Sequence, residues 1–168
     1  MGEAEQHTAQ YYCIPPYRWE RLNFDLLTRQ DHEWEPLPET ALAGIRRLIR
    51  PASQKLQSYD FYRIELNDPL IVDTAARTDL TSDFYHFLVY IITHEMVHLV
   101  RFSSILENLP QERRFYESEE HRVQRICHQI LTGRSKFRPV LERFCINQAS
   151  GRCSNVLADG FWVNVWSG

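Results

Sequence analysis

The sequence predicts an α+β fold in which a small antiparallel or mixed sheet packs on a central helix and on the helix that follows it. Three observations support this prediction. Two short strand patterns, at 61–66 and 70–72, flank the turn signal Asn67-Asp68-Pro69. Residues 84–92 are apolar almost all round a helix, which is typical of a helix in the middle of a domain. Another helical pattern runs from Pro110 to about Gly133.

The first 50 residues carry weaker signals than the centre of the chain. Residues 1–12 are polar, so we expect a flexible N-terminus there. Apolar side chains between Trp19 and Leu27 recur at helical spacing and predict a short helix. A better helical pattern begins at the prolines of 36–38 and ends before Pro51.

The remaining elements complete a single domain. Thr81 and Ser82 can cap the central helix, which we expect to reach about Ile105. Residues 161–166 alternate and predict a last strand. A chain of 168 residues suits one domain, which we place at 13–168 with its core at about 60–131.

Composition and charge exclude several classes of protein. The formal charge is 19 − 22 = −3, and the basic residues are interleaved with Glu, so we expect no nucleic-acid partner. No apolar run approaches the ~20 residues of a membrane span, and the acidic start of the chain does not resemble an export signal. The four cysteines form no CxxC pair. These features predict reduced thiols and a cytoplasmic protein.

The central helix contains an HExxH motif, His94-Glu95-Met96-Val97-His98. On a helix, His94 and His98 are one turn apart and project from the same face, so that both imidazoles can bind one Zn²⁺. Glu95 is displaced by about 100° from His94, which suits a base that reaches a metal-bound water better than a third equal ligand. Three ionisable groups on a buried helix are costly unless something binds them, and a metal is the simplest candidate.

A catalytic zinc site needs a third protein ligand and one open position. The next helix offers Glu117, Glu119, Glu120, His121 and His128. Its apolar residues define a buried stripe; Glu119 and Glu120 lie at or inside the border of this stripe, whereas the other three turn toward the polar side. This pattern leaves Glu119 and Glu120 as the candidates for the third ligand, because both lie on the buried side of the helix.

The motif, followed by a Glu on the next helix, resembles the gluzincin clan of zinc metallopeptidases, and more closely its minigluzincins and the similar domains that cleave bacterial repressors. In those families the ligand Glu precedes a characteristic series of small, amide and apolar residues. Counting from Glu120 reproduces most of that series, whereas counting from Glu117 fits less well. The resemblance therefore implies Glu120 as the third ligand, with Glu117 in reserve. The resemblance as a whole covers about residues 60–131. Gln124 stands where the family usually has an acid or Asn that orients a ligand imidazole.

The resemblance implies metal-assisted hydrolysis of a peptide or protein substrate, with one zinc per chain. Glu95 would act as general base and then as general acid. Tyr116, one turn before Glu120, and His121, next to it, are candidate donors to the oxyanion that no motif places; the alternatives are core packing for Tyr116 and a solvated position for His121. The resemblance also suggests that an extended substrate pairs with the edge of a strand before the metal helix, either 61–66 or 70–72.

Two other functions remain open from the sequence. The first is a metal-stabilised, catalytically silent protein-binding domain, in which Trp162 and Trp166 could contribute to a recognition surface. The second is a carboxylate-bridged di-iron helical protein. That class needs two ExxH pairs, and Glu95 with His98 is the sole pair at this spacing.

Overall fold

The computed structural model describes residues 2–50, 59–103 and 119–144, and it has the predicted α+β class. Six helices and a three-stranded sheet lie within these ranges. In chain order they are α1 (Gly2–Tyr11), α2 (Pro16–Trp19), β1 (Asn23–Leu27), β2 (Ala43–Arg50), β3 (Tyr59–Leu66), α3 (Asp68–Arg77), α4 (Phe84–Phe102), α5 (Glu119–Leu131) and α6 (Arg138–Phe144), with a short 3₁₀ helix at Ser135–Phe137 before α6.

The sheet is mixed, with the strand order β1-β3-β2. β3 is central; β1 pairs with it in parallel and β2 pairs with it antiparallel. Ile64 of β3 lies between Leu26 and Ile45 in this register. The predicted strand at 61–66 is confirmed as the greater part of β3.

Both faces of β3 are buried. Tyr62 and Ile64 belong to the hydrophobic core, and the Tyr62 hydroxyl donates to the carbonyl of Phe102 at the end of α4 (3.2 Å). The opposite face carries charged side chains under the segment that joins β1 to β2. There Glu65 is 1% exposed and accepts a hydrogen bond from Arg46 (3.1 Å). The sheet therefore separates an apolar core from a second, ion-paired layer.

The helix predicted between 36 and 50 is wrong, since this segment contains β2. The periodicity misled because residues 41–46 are all buried, so that the apolar positions do not mark one face. Gly44 and Arg46 lie on the face of β2 that belongs to the charged layer, and they are buried as well. β2 lacks the alternation that identifies β3, because Ile45 and Arg47 share one face of the strand and Arg46 and Leu48 share the other.

Two shorter predictions are also wrong. Residues 70–72 lie in α3, with Pro69 in its first turn, where a missing N–H is harmless. Ile71 and Ala75, four residues apart, are buried, whereas Val72 is 58% exposed. The three apolar residues at 70–72 alone do not show this helical pattern. The helix predicted at 19–27 is replaced by α2, which ends at Trp19, and by β1.

Residues 2–11, predicted to be flexible, form helix α1, which packs on α4 and α5. Its buried stripe consists of small side chains, Ala4 and Thr8, and the Thr8 hydroxyl donates to the Ala4 carbonyl (2.8 Å). Hydrogen bonds fix both ends of the helix: Tyr85 donates to Glu3 (2.9 Å) and Tyr11 donates to Gln129 (2.7 Å). Because this buried stripe is narrow and contains a polar residue, the hydropathy of the sequence does not predict the helix.

The predicted central helix is confirmed as α4, which is mostly buried and belongs to the core. It begins after Asp83, and neither Thr81 nor Ser82 is its N-cap. Within the described residues α5 begins at Glu119; the predicted start at Pro110 and the predicted strand at 161–166 lie outside the described ranges. None of the helices in the described part combines the length and the hydropathy needed to cross a membrane.

We expect Glu65→Ala to lower the free energy of unfolding by about 1–3 kcal/mol, because it removes the buried carboxylate that accepts from Arg46, which keeps its more exposed partner Glu35. The matched control is Asp73→Ala, which removes an exposed ion pair with Arg77 (2.8 Å) and should cost less than about 1 kcal/mol. Urea unfolding of the three proteins measures both values. Equal losses in the two variants would contradict the buried, ion-paired layer.

Candidate metal centre

Helix α4 holds His94 and His98 side by side within the core. Their side chains are 0% and 1% exposed, and their Nε2 atoms are 3.2 Å apart. The ring of Phe102 stacks on His98 at a centroid distance of 5.3 Å and an angle of 20°. Because the helix is buried on nearly all sides, the two imidazoles are held in one orientation by packing.

Glu120, in the first turn of α5, completes the cluster. One carboxylate oxygen lies 3.2 Å from His94 Nε2 and the other lies 3.3 Å from His98 Nε2. The possible ligand atoms of His94, His98 and Glu120 all lie within 4.8 Å of one another. The structure thus brings the two motif histidines together with the Glu favoured by the resemblance. Glu117 lies outside the described residues.

The spacing of the two histidine nitrogens fits a tetrahedral zinc ion. Bonds of about 2.0–2.1 Å place two ligand atoms about 3.3–3.4 Å apart at the tetrahedral angle, close to the 3.2 Å between the two Nε2 atoms. Each oxygen of Glu120 lies at a similar distance from one of the two imidazoles. Two imidazoles and one carboxylate are also the donor set of a catalytic zinc site, which leaves one position open. The residues present therefore fit the metal that the sequence implies.

The protonation of the cluster favours cation binding. Burial lowers the pKa of His94 to about 4, which keeps its imidazole neutral at pH 7. Burial alone would raise the pKa of Glu120, but the hydrogen bonds with His94 and His98 outweigh it and hold the pKa well below its usual range. A neutral imidazole beside an ionised carboxylate is the state in which these groups bind a metal.

Glu95 is a second acidic group beside the cluster and is 2% exposed. Burial and the nearby charge of Glu120 raise its pKa well above the ordinary value. Two carboxyl groups close together in a buried site repel each other when both are ionised, and a bound cation would relieve that repulsion. The pKa of Glu95 therefore depends on its burial and on the charge of Glu120 beside it.

The other predicted site residues have different surroundings. The Gln124 side-chain amide donates to the carbonyl of Phe144 (3.0 Å) and so joins α5 to α6. His121, next to Glu120, is half-buried, and Tyr116 lies outside the described residues. The Nδ1 atom of His98 is buried without a hydrogen-bond partner among residues 2–50, 59–103 and 119–144, although metal-binding imidazoles usually donate from that atom.

Three neighbours of the cluster were missed in the sequence. Phe102 stacks on His98 from four residues further along α4, a spacing that predicts contact on a helix. Arg101 forms an ion pair with Glu119, beside Glu120. The buried thiol of Cys127 contacts the carbonyl of Tyr90 on α4 (3.7 Å), and its pKa is raised by burial and by the charge of Glu95. Pairing between helices leaves no mark in the sequence of either helix alone.

The predicted docking edge for an extended substrate is wrong in both of its versions. Residues 61–66 lie in the central strand, where β1 and β2 occupy both sides, and 70–72 are helical. Within the described residues the sheet edges belong to β1 and β2. A central strand has no main-chain groups left for a peptide.

The buried state of His94 predicts an acid-sensitive metal-free protein. Between pH 6.5 and 4 the unfolded chain binds a proton at His94 that the folded chain does not, so stability falls as the pH falls, by up to about 1.4 kcal/mol per pH unit. The raised pKa of Glu95 acts in the opposite sense, so the comparison must be between variants.

We therefore expect His94→Asn to remove this part of the pH slope, whereas His32→Asn, at an exposed position in the loop after β1, leaves it unchanged. Denaturant unfolding with a chelator at pH 7, 6 and 5 measures the slopes. The same slope in wild type and His94→Asn would contradict a neutral, buried His94.

Comparison of this chain with protein-family models, with curated proteins and with solved structures found no match.

Proposed function

We propose that this protein is a zinc-dependent peptidase in which His94, His98 and Glu120 hold the metal and Glu95 is the general base. The observation that carries the proposal is the convergence of three ligand atoms within 4.8 Å beside a second buried carboxyl. The resemblance of the HExxH motif and the following Glu to the gluzincins supports the same reaction.

Zinc in a site of this kind lowers the pKa of a bound water to about 7 and polarises the carbonyl that the water attacks. The histidines supply neutral donors on a rigid helix, and Glu120 supplies the negative charge that offsets part of the charge of the ion. Glu95 accepts the proton from the attacking water and delivers it to the leaving amine. Burial raises the pKa of Glu95 toward the working pH, which strengthens the carboxylate as a base for the first transfer and lets the same group act as the acid in the second.

The test begins with the metal content of the purified protein. We expect about one zinc per chain, lost on dialysis against a strong chelator and restored by added zinc. A peptide mixture of varied sequence, analysed by mass spectrometry, should then show cleavage with the loaded protein and none with the stripped protein.

Two other results have distinct meanings. Protein that takes up no metal, even with excess zinc, would overturn the metal site and the peptidase together. Protein that binds one zinc but cleaves neither peptides nor unfolded proteins would favour the metal-stabilised, catalytically silent binding domain.

A further inference from the structure

Two adjacent glutamates open α5, and each contacts a different partner on α4. Glu120 contacts the histidine pair, as described above. Glu119 forms an ion pair with Arg101 in the last turn of α4. Arg101 lies three residues after His98, so that the guanidinium and the imidazole are neighbours along the same helix.

The ion pair is bidentate and partly buried. Arg101 Nε donates to one oxygen of Glu119 (2.5 Å) and a terminal guanidinium nitrogen donates to the other (3.1 Å). The two side chains are 22% and 33% exposed. Two parallel hydrogen bonds fix direction as well as distance, and arginine makes them because its donors form a planar fork.

The contact of Glu119 with Arg101, together with the buried apolar residues of α5, limits the direction in which Glu120 can point. Successive side chains on an α-helix are about 100° apart, so a rotation of α5 by that angle would bring Glu119 toward the histidines in place of Glu120. The bond between Glu119 and Arg101 opposes this rotation. It also removes Glu119 as a competing carboxylate.

We propose that Arg101 is a positioning residue that, by holding Glu119, selects Glu120 as the metal ligand; the inference rests on the proposed zinc site. Arg101 would not itself be a ligand, because its guanidinium is positively charged and contacts Glu119. Its effect is carried through the backbone of α5 from Glu119 to Glu120.

The test compares zinc affinities, measured by competition with a chromophoric chelator. Arg101→Leu and Glu119→Gln should each weaken zinc binding about 10–100-fold, as is typical when the partner that orients a ligand is lost. The double variant should be no weaker than the poorer single variant, because both changes delete the same contact. Arg77→Leu, which removes an exposed ion pair with Asp73, is the control and should bind zinc like the wild type.

A second comparison separates positioning from general destabilisation. In protein that already carries Glu120→Ala, adding Arg101→Leu should raise the zinc affinity, because the released Glu119 can replace the missing ligand. Cobalt-loaded protein should show the same recovery as a return of the tetrahedral absorption bands. A change that merely loosened the fold would lower the affinity further.

The outcomes are distinct for the two proposals. Wild-type affinity in Arg101→Leu, or no gain on adding it to Glu120→Ala, would overturn the role of Arg101 while the zinc site stands. Wild-type protein that binds no zinc would overturn the site, and the selection of Glu120 with it. Thermal unfolding of each variant shows that the comparison is made between folded proteins.

Discussion

Replacement of Glu95 by glutamine is expected to lower the rate of peptide cleavage about 10²- to 10⁴-fold while the protein still binds one zinc. The amide keeps the size of the side chain and its place in the core, where Glu95 is 2% exposed. It cannot accept a proton from the attacking water. Metal content and cleavage rate, measured on the same preparation, separate the two effects.

Stability gives an independent check on this variant. Because burial and the charge of Glu120 raise the pKa of Glu95, a neutral amide at this position should leave the metal-free protein as stable as the wild type or more stable at pH 7. Glu20→Gln, at an exposed position after α2, is the matched control and should change neither the stability of the metal-free protein nor the cleavage rate. Full activity of Glu95→Gln would exclude Glu95 as the base.

Removal of Glu120, the proposed third ligand, should lower the zinc affinity strongly. We expect Glu120→Ala to weaken zinc binding by more than about 100-fold, beyond the usual effect of losing a group that only orients a ligand. The carboxylate of Glu120 lies 3.2 and 3.3 Å from the two imidazole nitrogens, and neither histidine can replace its charge. Elemental analysis and chelator competition measure the loss.

The control for this experiment is Glu117→Ala, the alternative ligand from the sequence. It should retain one zinc per chain and the wild-type affinity. Loss of zinc from Glu117→Ala and retention by Glu120→Ala would exchange the two assignments. Glu142→Ala, which removes an exposed carboxylate that pairs with Arg138 (2.7 Å), should be neutral.

The sequence predicted best where burial leaves a simple pattern. α4 is apolar nearly all round, and two histidines one turn apart face one way on any helix, so the geometry of the pair follows from the spacing. β3 has clean alternation and was also predicted. The contact of Glu120 with the histidines depends on how α5 packs against α4. The pattern of apolar positions on α5 left Glu119 and Glu120 as candidate ligands and did not decide between them.

Prediction failed where apolar and polar residues do not alternate along a strand or where small side chains make the contact. In β2 the order Ile45-Arg46-Arg47-Leu48 breaks the alternation, and Arg46 is buried whereas Arg47 is exposed. α1 docks through Ala4 and Thr8, whose hydropathy does not distinguish them from loop residues. Arg101 and Glu119 form an ion pair between helices, and no local spacing connects them.

The cluster joins two segments that are separate in the chain, since α4 supplies His94 and His98 and α5 supplies Glu120. A metal held there would act as a removable cross-link between the two helices. By mass action, free zinc at about 100 times the dissociation constant would add about 2.7 kcal/mol to the stability of the folded chain. On the proposed function, the zinc supply would then influence both how much of this protein survives proteolysis and how fast it cleaves peptides.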